Sequence, residues 1–93
     1  MAYTIRKGAT TPSGWLINPE KGLVLLFIRD PKSLMRIPNV ITQLWHSNKD
    51  GIPNTLKNIR TMNLEGAIET WNELLSNGWK LTEIDHQIHN DVA

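Results

Sequence analysis

Two histidines three residues apart, His86 and His89, with Asp85 and Asp91 beside them, come nearest to a metal-ligand set in this 93-residue chain. Imidazole and carboxylate groups at that spacing can in principle reach one divalent cation. A structural site wants three or four ligands held rigidly, and these residues fall in a polar terminal stretch, so a solvated tail is expected and no metal is assigned. His46 follows Trp45 near the end of an apolar run, with no nucleophile in a recognisable motif, and reads as a surface or packing residue and not as a general base. Ser13, Ser33, Ser47 and Ser76 stand in turns or at a helix end without a Gly-x-Ser-x-Gly elbow, and no glycine cluster has the spacing that cradles a phosphate. With no paired acid and base to start from, the expectation is a protein that is not an enzyme and binds no cofactor.

What is left is binding chemistry. Tryptophan fills cores and anchors interfaces. Trp71 belongs to an apolar helical stripe, Trp79 follows the helix stop, and Trp15 shares strand parity with Ile17, so all three are expected to face inward. Trp45 aligns with Ile41 and Gln43 near a hairpin end and is the tryptophan assigned to a partner contact. Glu65, Glu69 and Glu73 recur at i, i+4, a like-charge row that is either a solvated face or an acidic stripe for a partner or a second copy. Residues 1–62 hold nine Lys/Arg against three carboxylates, a net of +6, whereas residues 63–93 carry a net of −5, so the surface is expected to be electrically two-sided. Arg29, Lys32, Arg36, Lys57 and Arg60 are the cations that would serve a nucleic-acid surface, with Trp45 available for stacking.

These side chains need a scaffold, and the length allows one domain with one core. An apolar fraction of 40% supports folding, and the absence of cysteine excludes disulfides and cysteine-ligated metals, which makes a reducing cytoplasm the expected location. The apolar run Leu23 to Ile28 is too short to cross a bilayer, and no membrane association is expected. Residues 14–17 and 23–28 are rich in strand formers around Asn18-Pro19-Glu20-Lys21-Gly22, which predicts a β-hairpin with Gly22 supplying the left-handed position. The second of these strands is apolar on both faces, so it is either central and covered on both sides or turned outward to a partner.

Pro31 and Pro38 leave residues 30–38 irregular, although Asp30 has the chemistry to cap a short helical turn. Val40 to His46 and Leu56 to Met62 predict a second hairpin around Ser47-Asn48-Lys49-Asp50-Gly51. Asn63 is the expected N-cap of a helix over about 64–77, with Ala67, Ile68, Trp71, Leu74 and Leu75 on one face and Asn77-Gly78 as the stop. Trp79 to Glu83 returns as a short strand. The expected fold is therefore α+β, a small antiparallel sheet in the order β-β-β-β-α-β with one helix packed on a face. Residues 1–13 are expected as a flexible arm, 14–84 as the domain and 85–93 as a flexible tail.

The residues Gly14-Trp15-Leu16-Ile17-Asn18-Pro19, Gly22-Leu23-Val24-Leu25-Leu26-Phe27 with Asp30, Ala67-Ile68 with Trp71, and Gly78-Trp79 together resemble a family of short proteins from marine picocyanobacteria and their phages. That resemblance covers roughly residues 14–80 and implies a small cytoplasmic accessory protein with no catalytic residue to carry over. A weaker similarity, through Trp45, Gly51, the helix and Gly78-Trp79, is to the Trp-Gly-Arg module found beside nucleic-acid enzymes, although His46-Ser47 stand where that module has Gly-Arg. The functional expectation is a non-catalytic protein-interaction or regulatory module that binds a protein partner or itself. Nucleic-acid binding is the alternative.

Overall fold

The computed structural model describes residues 11–20 and 22–84. Expectations for residues 1–10 of the arm and for the tail, including Asp85, His86, His89 and Asp91, lie outside the described residues. Among the described residues five strands and one helix follow in the expected order: β1 (Gly14–Ile17), β2 (Leu23–Arg29), β3 (Asn39–Ser47), β4 (Pro53–Asn63), α1 (Leu64–Ser76) and β5 (Lys80–Thr82). The strands form one sheet in the spatial order β4-β3-β2-β1-β5, every neighbouring pair antiparallel. β2, the strand apolar on both faces, is central. The chain is α+β, as its patterning predicts. Among the described residues no helix is long and apolar enough to cross a membrane.

The connection from β4 to β5 organises the molecule. Among the described strands these are the two outermost, so α1 must carry the chain from one side of the sheet to the other over the strands between. Thirteen residues at 1.5 Å each give a helix of about 20 Å, close to the ~19 Å of four interstrand spacings. Both ends of the helix are sharp. Asn63 ends β4 and caps α1 directly, its side-chain oxygen accepting from Gly66 N at 2.7 Å. At the other end Gly78 adopts φ +97°, and bonds from Gly78 N to Leu75 O and from Trp79 N to Leu74 O close a Schellman motif that turns the chain into β5.

Alternation along the strands decides what lies beneath the helix. Leu16, Phe27 and Val40 form the buried cluster with Leu64 and Ala67, and Leu25, Met62, Ile68, Trp71, Leu74 and Trp79 pack around it. Trp71 meets Phe27 edge to face, with centroids 4.9 Å apart and planes at 86°. Trp71 and Trp79 thus face inward as expected. Trp15 is also buried, but on the opposite face of the sheet, because it is Leu16 that shares parity with the strand residues under α1.

The first turn differs from expectation in its chemistry, and the second forms where expected. Gly22 is not in the left-handed region. The first hairpin is instead held by the Asn18 side chain, whose Oδ1 accepts from Gly22 N at 2.9 Å and Leu23 N at 3.3 Å. In the second hairpin Asn48 Oδ1 accepts from Asp50 N and Ile52 N, and Gly51 takes φ +83°. A Cβ at Gly51 would stand 2.9 Å from Ile17 Cδ1, so this turn folds down onto the end of β1. β4 begins at Pro53, earlier than its sequence suggests, because an edge strand has no outer partner to miss the absent N–H.

Asp30 forms no helical turn. It closes the neck of the β2–β3 connection, its Oδ1 accepting from Lys32 N and its carbonyl from Ser33 Oγ, while Ser33 Oγ accepts from Asn39 N.

Gly51→Ala is expected to lower stability by about 2 kcal/mol, through both the left-handed φ and the Ile17 contact. Gly22→Ala has nothing within 4 Å of its new Cβ and is expected to change stability by less than about 0.5 kcal/mol. Urea unfolding midpoints of the two variants against the parent check the contrast.

Candidate interaction surfaces

The helix covers one face of the sheet, and cross-strand register lays out the other. Ile17, Val24, Trp45 and Leu56 make one row, Trp15, Leu26, Gln43 and Ile59 a second, and Ile28, Ile41 and Thr61 a third. The first row is closed at its Ile17 end by the Gly51 turn, and Val24 is fully buried. Toward the β4 edge and the third row the face opens: Leu26, Ile41 and Trp45 are half-buried, and Ile28, Leu56 and Ile59 are 37%, 42% and 53% exposed. No described element packs over these side chains. Trp45 belongs to this apolar face and donates from Nε1 to Gln43 Oε1 at 3.1 Å, which ties its ring to the residue two positions back on the same strand.

A second apolar feature leaves the sheet at the Ile28–Ile41 end. The β2–β3 connection, stapled at its neck by Asp30 and Ser33, presents Leu34, Met35 and Ile37 at 73%, 77% and 63% exposure. Nothing in the chain's periodicity marks these residues, because an irregular segment between two prolines has no face to read. Their signal is composition alone, three large aliphatics in a segment where turn residues are the norm.

The three glutamates lie exposed along α1, away from the packed side. Glu65, in the first turn, also meets the favourable end of the helix dipole. The acidic row and Trp45 sit on opposite sides of the sheet, so the partner-contact residues chosen from the sequence do not form one surface. The five cations are likewise divided. Arg29 and Arg60 project on the helix side, in register with Val40 and Thr42. Lys32 and Arg36 belong to the β2–β3 connection, and Lys57 falls at the register shift between Leu44↔Asn58 and Trp45↔Leu56. Among the described residues no group of three or more His, Cys, Asp or Glu has a metal-holding arrangement.

Residues 13–88 match the family model described as Protein of unknown function (DUF1651). No curated protein and no solved structure matches the chain.

Glu69→Lys converts two like-charge i, i+4 neighbours into opposite-charge ones and is expected to stabilise the protein by about 0.5–1 kcal/mol. Thermal melts at low and high salt check this, and the gain should shrink as salt rises.

Proposed function

The chain belongs to the DUF1651 family of proteins of unknown function, and from the surfaces it presents we propose that it is a non-catalytic interaction module that meets a protein partner through the helix-free face of its sheet. The observation that supports this reading is the open end of that face, where Ile28, Leu56 and Ile59 stand exposed beside half-buried Leu26, Ile41 and Trp45. A contiguous apolar surface of this kind is the usual mark of a contact site on a monomer. An aromatic anchor ringed by aliphatics is also the composition of interface cores. None of these six residues is ionisable, which favours docking over chemistry. His46, exposed near the end of β3, has no catalytic role in this proposal. The setting proposed with it is the cytoplasm of a marine picocyanobacterium or its phage-infected cell, which the sequence resemblance implies and the lack of cysteine fits.

Nucleic-acid binding is the second reading, and one observation favours it: Arg29, Lys32 and Arg36 all belong to the β2–β3 connection and its root, where they would give phosphates a localised positive surface. The split of the other cations and the exposed glutamates of α1 weigh against it.

One experiment separates the readings. Tagged protein is used to capture material from lysate of its host, with and without nuclease, alongside the Ile28→Asp and Ile59→Asp variants and a solution mass measurement. The expected outcome is a stoichiometric protein that survives nuclease and falls about tenfold or more with either variant, while both variants still unfold cooperatively with a loss of no more than about 2 kcal/mol. Retention by both variants contradicts the proposal. Recovery that vanishes with nuclease transfers the reading to the Arg29–Arg36 region, and a mass of twice the chain with no foreign protein makes the partner a second copy.

A further inference from the structure

On the helix side, α1 does not cover the whole sheet. Beside it a groove of about 290 Å³ opens between the helix and β2, β3 and β4. Its floor is set by register: Leu25 lies beside Leu44 and Leu44 beside Asn58, and in the next row Thr42 lies beside Arg60. Thr70, Leu74 and Trp79 form the helix-side wall. Apolar groups dominate the lining, with Leu23 and Leu25 from β2, Leu44 from β3 and Met62 from β4, while the polar Asn58 and Arg60 stand together two residues apart on the β4 edge. Among the described residues Arg60 is the one charged residue lining the groove, and none of them lines it with a carboxylate.

This polarity specifies an occupant. From the β4 edge to β2 is two interstrand spacings, about 10 Å. A molecule lying along that direction would place one end by a guanidinium and the rest against leucine and tryptophan. A guanidinium prefers a planar carboxylate, which it meets with two parallel hydrogen bonds. A site of apolar walls with a few placed polar groups at one end is also the ordinary form of a small-molecule site. We infer that the groove binds a small amphipathic monocarboxylate, of the medium-chain fatty acid class, with its head at Arg60 and Asn58 and its alkyl chain over Leu44 and Leu25. The site is on the opposite face from the proposed protein contact and does not depend on it.

The test is titration of the intact protein with octanoate, with octanol as the chain without the charge and acetate as the charge without the chain. The methyl resonances of Leu25, Leu44 and Leu74 are followed, with Ile28 and Ile59 as reporters of the other face. Octanoate is expected to shift the three leucines saturably and to bind about fivefold or more tightly than octanol, while acetate does nothing. Arg60→Gln, at an exposed position, should bring octanoate down to the affinity of octanol. Thr70→Trp, which fills the groove from the helix wall, should abolish both. Equal affinity for octanoate and octanol in the parent, leucine methyls that do not move, shifts confined to Ile28 and Ile59, or an Arg60→Gln variant that keeps the preference would each overturn the inference.

Discussion

The closure of Leu64 and Ala67 over Leu16, Phe27 and Val40, with Trp71 set edge-on to Phe27, is the contact on which the rest of the molecule depends. It ties a single helix to the middle of a sheet whose outer strands, β4 and β5, are the very ones the helix connects. The helix must therefore begin at one edge without delay and stop abruptly at the other. The Asn63 cap and the Gly78 Schellman turn satisfy both demands while pairing the helix's terminal N–H and C=O groups. Ala67, fully buried, is small enough to let the backbone approach the sheet, while larger side chains on either side fill the space toward the edges.

One helix cannot cover two faces, and the surfaces that bear on function follow from that shortage. On the far side of the sheet, the Gly51 turn buries the Ile17 end and leaves the Ile28, Leu56 and Ile59 region open. On the near side, the crossing leaves a groove between the helix and β4. The exposed edge itself is guarded. β4 starts with proline, carries Lys57 and Arg60, and breaks register twice, all devices that discourage indiscriminate strand pairing. An edge protected in this way beside a face left apolar is consistent with contact through side chains rather than through added strands.

Much of this is legible in the residues. An unbroken apolar run at Leu23 to Ile28 must be buried on both sides or meet a partner, and β2 is the central strand with one face under the helix. The helix, its cap and its stop are all local signals and fall where the local chemistry puts them. What is not legible is set by distant partners. A three-residue strand such as β5 carries no mark of the edge it will join, so neither the strand order nor the path of the crossing can be read in advance. The same holds for Trp15, whose parity with Ile17 is plain while the identity of their shared face depends on where α1 lands. Gly22 misleads for another reason: Asn18 reaches across the turn with its side chain and removes the need for a left-handed residue. The groove at Arg60 joins residues from β2, β3, β4 and α1, and no linear pattern announces it.

The measurement that bears most directly on the central claim is solvent paramagnetic relaxation at the isoleucine and leucine methyls, first for the protein alone and then with its captured partner. An open contact face predicts strong broadening of Ile28, Leu56 and Ile59 by a soluble paramagnetic agent in the free protein. It also predicts loss of that broadening in the complex, with Leu16 shielded throughout. Methyls of Ile28, Leu56 and Ile59 already shielded in the free monomer, or still fully broadened in the complex, would contradict the account.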